Sequence, residues 1–234
     1  MAIQFHGLAS HFVSPYAFIA WTRIHEVAER HRQPLEIVPV LFAGLLEHHG
    51  QKGPAEIPAK RVYTYKDAWR KAVRAGIRDF RMPPAHPFNP LVALRVTSLS
   101  LDPDTKKRVI DELYSAAWQE GASIDTPEAV TAVLTKAGFE GKRLVREAQE
   151  KENKDRLRKA TEDAVARGVF GVPTAIVDGE VFWGSESLEL LEAFLRGEDP
   201  IPNDYDFAHV PVAADRKGHL AGSLAAAQQR KPVE

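Results

Sequence analysis

Cysteine is absent from all 234 residues. A chain without a thiol forms no disulfide, offers no thiolate to a metal and runs no disulfide exchange of its own, so any sulfur chemistry must use a bound thiol. A charge excess is lacking as well. The formal net charge is −1, which argues against a general partner of nucleic acid or of an anionic membrane surface. No apolar run approaches the ~20 residues that cross a bilayer. The N-terminus has no basic stretch leading into an apolar segment, as a secretion signal would. These absences predict a cytoplasmic protein with no membrane partner. What is present suffices for a proper core: apolar residues make up 44% of a length suited to one large domain or two small ones.

The most informative stretch is Gly171 to Ser185. Thr174 to Val177 and Glu180 to Trp183 are β-rich runs separated only by Asp178-Gly179, a dipeptide suited to the positive φ angles of a type I′ hairpin. Pro173 cannot donate to a ladder, so it belongs at the hairpin's start, and its preceding bond is predicted to be cis. Ser185 is expected to cap a helix carrying Leu188, Leu191 and Leu195 on one face. At the other end, Ile3 to Phe5 reads as a strand. Ser14-Pro15 opens a helix reaching residues 29–31, and Leu35 to Leu41 gives a second strand interrupted at Pro39. Between these β-containing ends the chain reads as helical. A helix over Tyr63 to Gly76 has Tyr65, Ala68, Trp69, Ala72 and Val73 as its apolar set. Asn89-Pro90, Asp102-Pro103 and Thr126-Pro127 open further helices, and residues 142–150 and 153–167 supply two more.

The predicted architecture is therefore α/β: a thioredoxin-like fold with an all-helical insertion between an N-terminal βαβ unit and a C-terminal β-hairpin and helix. Residues 1–60 and 168–197 form the thioredoxin-like domain, 61–167 the insertion, and 198–234 a polar C-terminal extension.

Ser14 is the leading candidate for chemistry. Unpaired N–H groups, the positive end of a helix dipole and a hydroxyl converge there, and together they can stabilise an anion such as a thiolate. The same Ser-Pro pair is also an ordinary helix cap. Several other polar residues have plainer readings. Adjacent His48 and His49 diverge on a helix, and His25-Glu26 with His31 lacks zinc-protease spacing, so no metal site is expected. Asn89 reads first as a cap and second as a substrate contact. Tyr16 and Trp183 read as core aromatics or as the walls of a pocket. His11 reads as a structural histidine or one that adjusts ligand charge. The charged stretch Lys142 to Lys159 reads as a solvated helical face.

Five segments occur in one order: Val13-Ser14-Pro15-Tyr16, Gly50-Gln51-Lys52-Gly53-Pro54, Phe88-Asn89-Pro90-Leu91, Phe170-Gly171-Val172-Pro173-Thr174 and Phe182-Trp183-Gly184-Ser185. In this the chain resembles the 2-hydroxychromene-2-carboxylate isomerase family, kin of kappa-class glutathione transferases and the DsbA-like group. The resemblance covers residues 1 to about 197. It implies glutathione as cofactor, with its sulfur beside Ser14 and its peptide backbone paired to Val172 ahead of a cis Pro173. It further implies Gln51, Lys60, Ser185 and Glu186 as glutathione contacts, Tyr16 and Asn89 on the substrate side, an aromatic-derived substrate, and a homodimer. A kappa-like transferase and a cysteine-free DsbA-like module that binds an extended peptide are the alternative readings. Two positions depart from the pattern. Gln51 stands where Asn is usual, and Ser187 stands where an Arg would help hold a glutathione carboxylate.

Overall fold

The structure is a computed structural model describing residues 2–6, 12–202 and 207–210. Strand β1 (Ile3–His6) runs parallel to β2 (Leu35–Val38), with Ile3 opposite Leu35 and Phe5 opposite Ile37, and helix α1 (Pro15–Arg30) lies between them in the chain. Strands β3 (Thr174–Val177) and β4 (Glu180–Trp183) form the hairpin. Because β3 pairs antiparallel with β1, the strand order is β2-β1-β3-β4. Asp178 and Gly179 have φ of 50° and 92°, the left-handed pair a type I′ turn requires. Strand β2 ends at Val38, short of the expected Leu41, because Pro39 has no N–H to extend the ladder.

Every residue of β3 is buried, which places it inside a sheet covered on both faces. Alternation then divides its side chains. Ala175 and Val177 join Ile3, Phe5 and the buried face of α1 in the main core, whereas Ile176 faces a smaller cluster of Val40, Leu45, Ala164 and Val169. The second cluster lies where α2 (Phe42–His48) meets α8 (Lys151–Ala166).

Between α2 and β3 the chain is helical: α3 (Pro58–Arg74), α4 (Leu91–Thr97), α5 (Pro103–Trp118), α6 (Pro127–Lys136), α7 (Gly141–Ala148) and α8. Ser14, Asp102 and Thr126 each accept the N–H three residues on, and each precedes a proline at the first helical position. Helix α3 begins at Pro58, five residues before the expected Tyr63, because Pro58 can itself occupy that first position. Its buried side is the small-residue row Thr64, Ala68 and Ala72. Trp69 and Val73, expected in the core, are instead 49% and 55% exposed. The small row lets α3 approach α1 closely, and Trp69 turns sideways to meet Phe80 edge-on at 5.5 Å.

Helix α9 (Leu188–Leu195) starts at Leu188, which corrects the expectation that Ser185 caps it. Ser185 is buried and donates to Glu186 Oε2 at 3.2 Å. Ser187 holds the cap position, but its hydroxyl donates back to the Trp183 carbonyl. Residues 1–197 form one compact unit and 198–234 a second, in which a 3-10 turn spans Phe207–His209. His11, most of the C-terminal extension and the approach to Ser14 over residues 7–11 lie outside the described residues. Among the described residues no helix is long and apolar enough to cross a membrane.

Candidate functional site

Ser14 is half-buried at the head of a 16-residue helix, with φ −100° and ψ 115°. Its Oγ accepts the Ala17 N–H at 3.3 Å, a long bond that uses one lone pair. Among the described residues nothing accepts the hydroxyl proton. The two sequence readings of Ser14 are therefore compatible, since capping uses the oxygen and anion stabilisation would use the O–H.

The helical block fixes the backbone leading into Ser14. Trp118 Nε1 donates to the Phe12 carbonyl at 2.7 Å, and His86 Nε2 contacts the Val13 carbonyl at 2.6 Å. That acceptor assigns the proton to Nε2. His86 Nδ1 lies 3.0 Å from the Tyr65 hydroxyl, which donates to the His86 carbonyl at 2.9 Å. Burial pushes the His86 imidazole below its ordinary value. The Val13 carbonyl opposes that shift, and the Arg61 charge adds to it.

A charged cluster joins α1, α3 and the loop after β4. The Tyr16 hydroxyl donates to Asp67 Oδ2 at 2.7 Å. Lys71 Nζ lies 2.7 Å from the same oxygen, 4.7 Å above the Tyr16 ring, and in an ion pair with Glu186 Oε1. Burial first, then the Asp67 bond, push the Tyr16 hydroxyl far above its ordinary value, so it stays a neutral donor. Burial alone would raise the Asp67 carboxyl and lower the Lys71 ammonium. Their mutual bond, with Tyr16 on one side and Glu186 on the other, outweighs burial and keeps both charged. Lys71, Ser185 and Glu186 together line a cavity of about 730 Å³.

The loop before β3 completes this end of the sheet. The Val172–Pro173 peptide is cis, as expected, and the Pro173 carbonyl accepts the Gly184 N–H at 2.9 Å. Because His6 pairs with Thr174, Pro173 flanks the end of β1 from which the chain proceeds to Ser14. Val172 is half-buried, and neither its N–H nor its carbonyl has a backbone partner among the described residues. A Cβ on Gly171 would stand 2.6 Å from Trp183 Nε1, so any larger residue there would displace that indole. Trp183 is 54% exposed and meets Phe170 at 5.3 Å, which removes the reading of Trp183 as a core residue.

The remaining sequence candidates share no hydrogen bond or ion pair with the cluster among the described residues. Gln51 is exposed, with its backbone N–H on the Leu46 carbonyl; Lys60 is exposed in the first turn of α3. Asn89 is exposed, and its Oδ1 accepts the Leu91 N–H at 3.0 Å, which makes it a cap of the turn into α4. Among the described residues no group of three potential ligands could hold a metal. Sequence reading missed Asp67, Lys71, His86 and Trp118. The first two did leave a trace, because an Asp and a Lys at i, i+4 flank the small residues Thr64, Ala68 and Ala72 of a closely packed helix face.

A sheet of this order, with a helix head and a cis-proline loop at one end, defines a thioredoxin-fold protein. The chain belongs to the DSBA-like thioredoxin domain family, which matches residues 10–196. It is 28% identical over 209 residues to Glutathione S-transferase kappa 1 of Homo sapiens, covering 81% of this chain and 91% of that one. It is 23% identical over 188 residues to the 2-hydroxychromene-2-carboxylate isomerase of Sphingobium xenophagum, covering 79% and 94%. Among solved structures, a 2-hydroxychromene-2-carboxylate isomerase superposes with a TM-score of 0.75 at 22% identity, covering 84% of this chain and 95% of that one. At that identity the superposition speaks to the fold.

Proposed function

We propose that this protein is a cytoplasmic, glutathione-dependent isomerase of the 2-hydroxychromene-2-carboxylate type, acting on a conjugated intermediate of aromatic-compound breakdown. The observation that carries the reading is the Ser14 hydroxyl at a helix head, whose proton no described residue accepts, in a chain with no thiol of its own. Bound glutathione would supply the nucleophilic sulfur that adds reversibly to a conjugated substrate. The residues present fit that tripeptide. Ser14 donates its O–H to the sulfur anion, and the N–H groups and dipole of α1 favour the same charge. Val172 offers one N–H and one carbonyl to an extended backbone, as in strand addition. Glu186 offers a carboxylate to the γ-glutamyl end, with Ser185, whose hydroxyl donates to it, assigned to the same end, while Gln51 and Lys60 are the polar groups assigned to the rest of the peptide. Tyr16 and Asn89 are assigned to the substrate side.

A kappa-like glutathione transferase is the second reading, favoured by the higher identity to the kappa relative, 28% against 23%. Calorimetric titration with glutathione tests what the two readings share. An ultraviolet isomerisation assay on a hydroxychromene carboxylate, run beside conjugation to a chloronitrobenzene, separates them. No heat of binding at millimolar glutathione would sink both and leave the peptide-binding module.

We further propose that the enzyme acts as a homodimer pairing through the outward face of α3, where Val62, Tyr63, Trp69 and Val73 are all exposed. The same face carries Lys66 and Arg70, so pairing should strengthen as salt screens their repulsion. Light scattering should give twice the 26.0 kDa of one chain, and Trp69→Glu should return a monomer. A monomeric wild type at both low and high salt contradicts the dimer.

A further inference from the structure

The helix start at Ser14 lacks one common feature. A capping box would place Glu or Gln three residues on, to accept the backbone N–H of the cap residue. Ala17 stands there, and among the described residues the Ser14 N–H has no acceptor. That N–H and the Val13 carbonyl are the two ends of one peptide unit. His86 holds the carbonyl end, with Nε2 2.6 Å away, a short bond for an N–H donor. A donor on the carbonyl polarises the peptide and strengthens the N–H at its other end. His86 is itself held from two helices. Its Nδ1 lies 3.0 Å from the Tyr65 hydroxyl of α3, and its ring meets Trp118 of α5 edge-on at 5.8 Å. With the proton on Nε2, Nδ1 keeps a lone pair, and the Tyr65 hydroxyl can turn its own proton to it or to the His86 carbonyl 2.9 Å away. Burial and the Arg61 charge on α3 keep the ring neutral, so one tautomer faces Val13.

We propose, resting on the glutathione reading above, that His86 is a positioning residue for the reaction: through the Val13 carbonyl it fixes and polarises the Val13–Ser14 peptide, and so sets how strongly Ser14 stabilises the sulfur anion. His86 acts through that peptide and not on the ligand. Its bond leaves the Ser14 hydroxyl and the first N–H groups of α1 in the orientation the helix head gives them. Losing the bond frees the segment before α1 on the side of the helical block, where only the Trp118 bond to the Phe12 carbonyl would remain. The consequence falls on charge at sulfur. The bound thiol should ionise less readily, while binding of the neutral thiol should not change. A residue that merely packed the 81–90 loop would move the melting temperature alone.

The test titrates the thiol of glutathione bound to the full chain, read as thiolate absorbance against pH. His86→Leu keeps much of the side-chain volume and has no donor. It should raise the bound-thiol pKa by about one unit, which leaves roughly a tenth of the thiolate at a pH below both values. Turnover at neutral pH should fall in step. His86→Gln, whose side-chain amide can reach the same carbonyl, should restore most of the wild-type behaviour. Calorimetry at a pH below the thiol's titration, where glutathione binds as the neutral thiol, should give the wild-type affinity for each variant. Melting curves establish that each variant is folded. Should His86→Leu not fold, Tyr65→Phe takes its place: it removes the contact at Nδ1 and should shift the thiol in the same direction by less. A folded variant that melts lower yet keeps the wild-type thiol pKa and turnover makes His86 a packing residue, and the proposal fails although the glutathione reading stands. The proposal also fails if His86→Gln is indistinguishable from His86→Leu, because the donated hydrogen bond is then not what matters. If wild type binds no glutathione, the glutathione reading itself fails and takes this proposal with it.

Discussion

Replacing Trp118 by Ala should cost ~3–5 kcal/mol of stability, the range for emptying a large aromatic site in a packed core. Trp118 is fully buried at the end of α5, stacked on Phe80 at 5.6 Å and 14°, with His86 against its edge at 5.8 Å. Its backbone carbonyl also accepts the Arg81 N–H at 2.7 Å, so the residue holds both the start and the middle of the 81–90 loop. A domain has only ~5–15 kcal/mol in total, so this one change removes a large share. For a compact unit of this size the melting temperature should fall by roughly 6–20 °C. Trp118→Phe separates two contributions. It keeps most of the ring volume but strips the N–H that satisfies the Phe12 carbonyl, and an unpaired buried acceptor costs ~1–3 kcal/mol. Denaturant unfolding of both variants checks the order. A Trp118→Ala loss below 1 kcal/mol would mean the ring does not brace the segment leading to Ser14.

What the sequence made legible was local. The hairpin follows from Asp178-Gly179, whose φ angles only a short polar residue and a glycine adopt cheaply. Helix starts at Pro15, Pro103 and Pro127 follow from a capping oxygen placed one residue before a proline. What stayed illegible depends on which neighbour each element meets. The helical period put Trp69 and Val73 beside Ala68 and Ala72, and periodicity cannot say which half of a broad stripe faces inward. Close approach to α1 favoured the small half. Composition pointed to Ser185 as the cap of the last helix, yet Ser187 stands directly before α9. The outcome turned on Ser187 reaching the Trp183 carbonyl, a contact made only once the chain bends after β4. At the candidate site, Ser14 and Pro173 carry their own local signals, Ser-Pro and Val-Pro-Thr. Lys71 carries none beyond its i, i+4 carboxylate, because its other partners lie 55 residues earlier at Tyr16 and 115 later at Glu186.

Ser14→Ala should lower turnover at neutral pH by roughly 10- to 1,000-fold, the scale on which removal of one preorganised donor acts. The substitution leaves the helix dipole and the first N–H groups of α1 in place, so the loss isolates the hydroxyl. Its capping role predicts a different and smaller effect. The Ser14 Oγ to Ala17 N–H bond is long at 3.3 Å, so the stability cost should lie toward the low end of the ~0.5–2 kcal/mol typical of a lost cap. The cap uses the oxygen and the proposed donation would use the O–H, so two observables report them separately. Melting temperature follows the cap. The pKa of the bound thiol, read as thiolate absorbance against pH, follows the donated proton. Without that donor the thiolate is less stabilised, so its pKa should rise and the thiolate fraction at neutral pH should fall. Turnover in the variant should recover as pH is raised toward the shifted pKa, whereas a misfolded site would show no such recovery. Ser14→Thr keeps a hydroxyl and should retain much of the activity if its methyl group fits. Ser14→Cys should form a mixed disulfide with oxidised glutathione, marking the ligand's sulfur as adjacent to this position. A Ser14→Ala protein that melts lower yet keeps its thiol pKa and its turnover would identify Ser14 as a cap and nothing more.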